Sequence, residues 1–179
     1  GTYLLYDAGM GWLDYRVSLD VRTDDNDGLG VMFRYSDDDN YYRFSWDRQR
    51  SYRRLVKKAG GVFTELAADS IPYVVGQSYH LELVAQGSQL EVWVDGLRIF
   101  QVTDDAHQQG SMAFYSWMST GVHFDDLVVE DLSGGATNAS PQIISIGATP
   151  LDILDNEMSM LTVVANDPDT GPTPLNYEW

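Results

Sequence analysis

Two kinds of side chain in this sequence are grouped closely enough to do chemistry together: carboxylates in short runs, and arginines interleaved with aromatic rings. The carboxylates occur as Asp24-Asp25-Asn26-Asp27, Asp37-Asp38-Asp39-Asn40, Asp104-Asp105 and Asp125-Asp126. Oxygen ligands at short range followed by glycine, as in Asp24-Asp25-Asn26-Asp27-Gly28, suit a calcium (Ca2+) loop, because a hard cation takes several oxygens and glycine lets the chain turn around it. A solvated acidic turn is the alternative, and without flanking helices or a properly spaced Glu the loop is not an EF-hand. Asp125-Asp126 poses a different question. In a regular strand Phe124, Asp126 and Val128 share one face and Asp125, Leu127 and Val129 the other, so one aspartate is expected among apolar neighbours. A buried carboxylate needs a partner or a metal. Calcium shared with the segment around Asp7 would serve, and so would an arginine or a backbone amide.

The arginines and rings suggest recognition of a sugar. Tyr41, Arg43, Ser45 and Asp47 alternate on one side of a strand, with Tyr42, Phe44 and Trp46 on the other. Arg34 belongs to the preceding strand, across the acidic turn Asp37–Asp39, so the two arginines are expected close together. Sugar sites stack an aromatic ring on the pyranose and surround it with polar donors and acceptors. A glycan site is therefore expected where Arg34, Tyr41 and Arg43 converge, with Trp46 or Trp117 as the stacking ring and Trp93 as a further platform. The alternative is that the rings are core and each arginine pairs with an internal aspartate such as Asp47 or Asp20. Arg48, Arg50, Arg53, Arg54, Lys57 and Lys58 hold six of the chain's 11 Lys and Arg. This basic strip would attract an acidic polysaccharide, or simply balance nearby aspartates.

Catalytic patterns are missing. Glu82 and Glu91 are isolated in their strands, and a paired-carboxylate glycosidase motif is not found. The three histidines, His80, His107 and His123, suggest no nucleophile–His–acid set. With no cysteine there is neither a disulfide framework nor a zinc–thiolate site. The expectation is a non-enzymatic protein. A net charge of −16 would repel a phosphate backbone, so nucleic acid is a poor partner. No run approaches the roughly 18 apolar residues of a membrane helix, so membrane insertion is not expected. The first residue is Gly1, which suggests a processed or excised piece.

The elements that position these residues read as strands almost throughout. Tyr15–Val21 alternates strictly, and further β-type runs follow at Leu29–Tyr35, Tyr41–Asp47, Ser51–Lys57, Val62–Ala67, Tyr79–Ala85, Leu90–Val94, Arg98–Val102, Ser111–Trp117 and Val122–Val129. Asp95-Gly96 is the strongest hairpin signal, with Gly60-Gly61 and Gln86-Gly87-Ser88 marking two more. Eight or more strands on short turns predict an all-β jelly-roll sandwich over residues 1–132. Residues 133–141 are small, polar and turn-forming, which reads as a linker. Two new strand patterns, Gln142–Ile146 and Met158–Ala165, follow in 142–179, too little chain to close a second sandwich.

Residues 12–129 resemble the concanavalin A-like lectin/glucanase superfamily. The likeness is carried by Trp12-Leu13-Asp14-Tyr15, by the strand pair "GLGVMFRYSDDDNYYRFSW", by Leu90–Gly96 and by Phe124-Asp125-Asp126-Leu127. It is similar to the strand pair of laminin-G-like, thrombospondin C-terminal and bacterial carbohydrate-binding jelly rolls. The resemblance implies a sandwich that hosts lectins, hydrolases and adhesion modules alike, often with a structural calcium near the N-terminal and last strands. Residues 141–179 resemble the opening of a PKD- or cadherin-like bacterial domain through "SPQIISIGATP", "LTVVANDPDTGP" and "LNYEW". That implies an incomplete immunoglobulin-like segment, with Trp179 at the centre of its core, in a large multidomain exported protein at the cell surface or outside it. Together these readings predict a calcium-stabilised carbohydrate-binding module whose partner is a polysaccharide or glycan. The alternatives are an adhesion or spacer module without a sugar site and, further off, a glycan hydrolase.

Overall fold

The computed structural model describes residues 1–132 together with the strands Gln142–Thr149 and Met160–Asn166. The chain divides into two units, Gly1–Ser133 and Gly134–Trp179.

The first unit is an all-β sandwich of two antiparallel sheets. Strands β1 (Thr2–Leu5), β2 (Tyr15–Thr23), β3 (Gly28–Asp37), β4 (Asn40–Asp47), β5 (Tyr52–Ala59), β6 (Val62–Asp69), β7 (Tyr79–Gln86), β8 (Gln89–Val94), β9 (Leu97–Thr103), β10 (Ser111–Trp117) and β11 (Val122–Asp131) follow in order. One sheet has the order β1-β10-β3-β4-β5-β6 and the other β11-β2-β7-β8-β9. All ten expected strands are present. The alternation in β2 is complete, with Tyr15, Val17, Leu19, Val21 and Thr23 buried and the residues between them part-exposed, as a strand with one face on the core requires. The tight turns occur where glycine permits positive φ. Asp95 and Gly96 (φ 49° and 74°) close β8 onto β9, and Gly60 and Gly61 (φ 54° and 82°) close β5 onto β6. The core between the sheets joins Val17, Leu19 and Val21 to Val31, Phe33, Tyr42, Phe44, Trp46, Leu55, Leu81, Leu83, Leu90 and Val92.

Two bulges break the alternation. Arg34 adopts φ 45°, in the left-handed region, where the β3–β4 register shifts between Phe33 and Asp37. Strict parity would set Arg34 beside Met32 on the outer face of the sheet. The bulge instead turns its side chain into the end of the sandwich and sends Tyr35 outward to stack on Tyr41, ring centroids 5.9 Å apart. The second bulge lies between Asp125 and Val128, with Asp126 at φ 50°. It leaves both aspartates exposed. The expectation that one of them faces apolar neighbours is therefore wrong, because it assumed an unbroken period of two.

The second unit contains an antiparallel pair, β12 (Gln142–Thr149) and β13 (Met160–Asn166), running from Gln142 opposite Asn166 to Thr149 opposite Met160. One strand pair gives no support to the immunoglobulin-like expectation. The linker 133–141 and Trp179 lie outside the described residues. Among the described residues no helix is long and apolar enough to cross a membrane.

Candidate functional site

The six-stranded sheet buries one face in the core and turns the other outward, and strand register sorts its side chains into rows. One row runs Tyr115, Gly30, Ser45, Arg54 across β10, β3, β4 and β5. The next row runs Ala113, Met32, Arg43, Val56, Glu65. Gly28 pairs with Trp117, and Asp47 pairs with Tyr52, on the same face. Gly28 and Gly30 carry no side chain, so the middle of this face is a trough. A Cβ on Gly30 would lie 2.0 Å from the Phe44 carbonyl oxygen, and one on Gly28 would lie 3.2 Å from the Trp117 Cβ. The result is a groove of about 570 Å³, with Met32, Tyr41, Arg43 and Tyr115 along its floor, Tyr3 and Trp117 on one wall, and Arg54, Lys58 and Phe63 on the other.

Electrostatics divide the groove. Asp38 accepts hydrogen bonds from the hydroxyls of Tyr3 and Tyr35, the latter at 2.7 Å. These bonds hold the Asp38 carboxyl below the usual 3.8. The same network, with burial first, pushes the Tyr35 phenol up. Lys58 pairs with Asp39 at 2.9 Å, and Arg50 bridges Asp47 and Asp27 at 2.8 and 3.0 Å. Arg43, only 8 % exposed, has its guanidinium 4.3 Å from the Tyr115 ring centroid and 5.2 Å from that of Phe63. Burial pushes the phenols of Tyr115, Tyr41 and Tyr52 up, so the floor offers neutral hydroxyls and fixed cations.

Of the residues expected to bind sugar, Tyr41, Arg43 and Trp117 meet in this groove. Arg34 does not. It is 0 % exposed and donates to Gly87 O at 2.6 Å, His107 O at 3.0 Å, Leu13 O at 3.1 Å and Asp14 Oδ1 at 3.1 Å. It ties loops at the end of the sandwich together. Trp46 does not either. It is 2 % exposed, projects into the core against Tyr73 and Tyr79, and donates its indole N–H to Ile71 O at 2.7 Å. The basic strip is split by strand parity. Arg53 pairs with Asp69 at 2.5 Å and Lys57 with Asp104 at 2.5 Å, while Arg54 and Lys58 face the groove. Tyr3, Tyr52, Phe63 and Tyr115 were not expected here, and Arg54 was expected only as part of the basic strip. Parity within β5 and β10 already sets Arg54 beside Lys58 and Tyr115 beside Trp117, but nothing in the sequence signals that Tyr3 sits on an edge strand against them.

The residues expected to hold calcium are dispersed. Asp24 faces Arg22 at 3.3 Å and His123 at 3.4 Å. Asp25 accepts from Thr120 N at 2.9 Å and Asn26 N at 2.7 Å, which hold its carboxyl low. Asp27 pairs with Arg50, while Asp7 lies exposed in a 3-10 turn (Asp7–Gly9) and Asp125 and Asp126 in their bulge. Among the described residues no three His, Asp or Glu side chains gather as a metal site. As placed, these groups do not fit a calcium shell, because arginines already neutralise Asp24 and Asp27. The expected result is an unchanged Tm on adding millimolar calcium to EDTA-treated protein. A rise of several degrees would restore the loop as a metal site.

The comparisons with known proteins concern this same unit. A family model described as a 3-keto-alpha-glucoside-1,2-lyase-like domain matches residues 1–130. The chain belongs to this lyase-like domain family. Among solved structures, the carbohydrate-binding module CBM66 from Bacillus subtilis is similar at TM-score 0.64 and 22% identity, over 72% of this chain and 80% of that one. Caenorhabditis elegans galectin LEC-6 is similar at TM-score 0.57 and 16% identity, over 72% and 89%. A protein of unknown function with a galectin-like fold from Bacillus subtilis is similar at TM-score 0.62 and 15% identity, over 72% and 76%. At these identities the likeness is one of fold. No curated protein matches the chain. The lyase-like domain thus has a galectin-like sandwich, and its outward sheet face carries the groove.

Proposed function

We propose that this lyase-like domain is a non-catalytic glycan-binding module and that the outer face of the six-stranded sheet is its binding groove. The observation that carries the reading is the groove's construction. Exposed rings of Tyr3, Phe63 and Trp117 stand over a floor of tyrosine hydroxyls and the buried Arg43. Rings take the apolar faces of a sugar, and fixed donors take its hydroxyls. The fold likeness to a carbohydrate-binding module and to galectins supports the same reading. A partner of this kind suits a protein working outside the cell or on its surface.

The family's description supports a second reading. A lyase acting on a 3-keto-alpha-glucoside must remove the proton beside the ketone and expel the group at the neighbouring carbon. The base is best matched to that task when its pKa lies near the working pH. Among the described residues lining the groove, Asp38 supplies the carboxylate, and two phenols lower its pKa. That makes it a weak base and favours binding over elimination. A broad glycan array separates the readings: saturable binding to at least one glycan, with no consumption of an added 3-keto-alpha-glucoside, is expected. Catalytic turnover of that sugar would establish the enzyme, and silence of folded protein across the array would leave a spacer or adhesion module.

A further inference from the structure

We infer that the groove selects a negatively charged glycan, with a sugar carboxylate or sulfate ester seated between Arg43 and Arg54. This deepens the glycan reading and rests on it. Four cationic side chains line the groove, and two of them are already neutralised: Arg50 by Asp27 and Asp47, and Lys58 by Asp39. Arg43 and Arg54 have no carboxylate within ion-pair distance among the described residues. Glu65 lines the adjoining pocket with both, and no ion pair joins it to either.

The two arginines are diagonal neighbours on one face. Arg43 stands opposite Val56, and Arg54 stands opposite Ser45. The polar atoms between them lack partners: Arg43 Nε, Arg54 Nε and Ser45 Oγ are all buried without a hydrogen bond. Arg43 lies between the rings of Tyr115 and Phe63, and Arg54 lies over Tyr52 at 4.2 Å. The neighbouring rings hold each guanidinium in place at the groove. A planar fork with two parallel donors matches a carboxylate or sulfate better than it matches a single hydroxyl. Two neighbouring guanidiniums without carboxylate partners repel, and an anion bridging them from the groove removes that repulsion. The rest of this acidic protein would repel a polyanion, so the selection lies in this spot and not in the overall charge of −16.

The test compares polymers that differ only in charge, by affinity electrophoresis of the full chain. Polygalacturonate is set against its methyl ester for the carboxylate, and dextran sulfate against dextran for the sulfate. Retention by at least one charged polymer is expected, at least tenfold stronger than by its neutral counterpart, and lost in an Arg54→Met variant with wild-type Tm. The pair that discriminates identifies the anion. Equal retention by charged and neutral partners, or full retention of the folded Arg54→Met variant, overturns the inference and leaves the glycan groove standing. Failure of the folded protein to bind any polymer, charged or neutral, overturns both.

Discussion

Replacing Arg34 by Met is expected to lower unfolding free energy by about 3–5 kcal/mol, the usual penalty for removing one partner of a buried charged pair. The guanidinium is fully enclosed and donates to three backbone carbonyls and to Asp14. Methionine fills much of the same volume but leaves those carbonyls and the Asp14 carboxylate short of a donor in a place water reaches poorly. Asp14 also accepts from Gly87 N at 2.8 Å, so the loss spreads from the β7–β8 turn to the segment before β2. Asp14→Asn keeps the shape and part of the bonding, and is expected to be destabilising by about 1–3 kcal/mol. This variant keeps the test informative if Arg34→Met does not fold. Urea unfolding measures both. A change below about 1 kcal/mol in either would mean that the cluster is not a structural tie.

The two tryptophans expected to stack on sugar should respond in opposite ways. Trp46→Ala empties a core position between Tyr73 and Tyr79, and is expected to cost about 3–5 kcal/mol of stability. Trp117, 39 % exposed on the groove wall, has little stability to lose. Trp117→Ala is expected to leave stability within about 0.5 kcal/mol while weakening glycan binding at least tenfold. Melting curves beside titration calorimetry on the two variants make the comparison. Wild-type affinity in folded Trp117→Ala would remove that ring from the site, and a harmless Trp46→Ala would contradict its place in the core.

These opposite roles show what strand periodicity reveals and what it hides. Strand positions were legible because β2 alternates strictly and because glycine-bearing turns such as Asp95-Gly96 admit only a narrow set of connections. Parity within β4 correctly separated Tyr41 and Arg43 from Tyr42, Phe44 and Trp46. It did not say which side was core, so Trp46 remained eligible for a site it never faces. Parity failed outright at Arg34 and at Asp125-Asp126. In both places a non-glycine residue with positive φ resets the face, and no residue type there announces it. The rest of the groove was hidden for a different reason. Tyr3 and Tyr115 come from β1 and β10, which are far apart in sequence and neighbours only through sheet order, while Phe63 stands on β6 opposite Lys58. The short edge strand β1 has too few residues to show a period. The carboxylate runs drew attention to calcium because clustering in sequence suggests clustering in space. In the structure each aspartate of the Asp24–Asp27 loop faces its own arginine, hydroxyl or amide.

The central claim is that this outward sheet face binds a glycan through Arg43. Titration calorimetry of wild type and Arg43→Met against the same array-identified glycan, with melts run alongside, tests it directly. Methionine preserves most of the packing against Tyr115 and Phe63, so stability is expected to fall by no more than about 1–2 kcal/mol, the worth of the lost cation–π contacts. Affinity is expected to fall at least tenfold. Undiminished affinity in a fully folded Arg43→Met protein would contradict the account and move the site off this face.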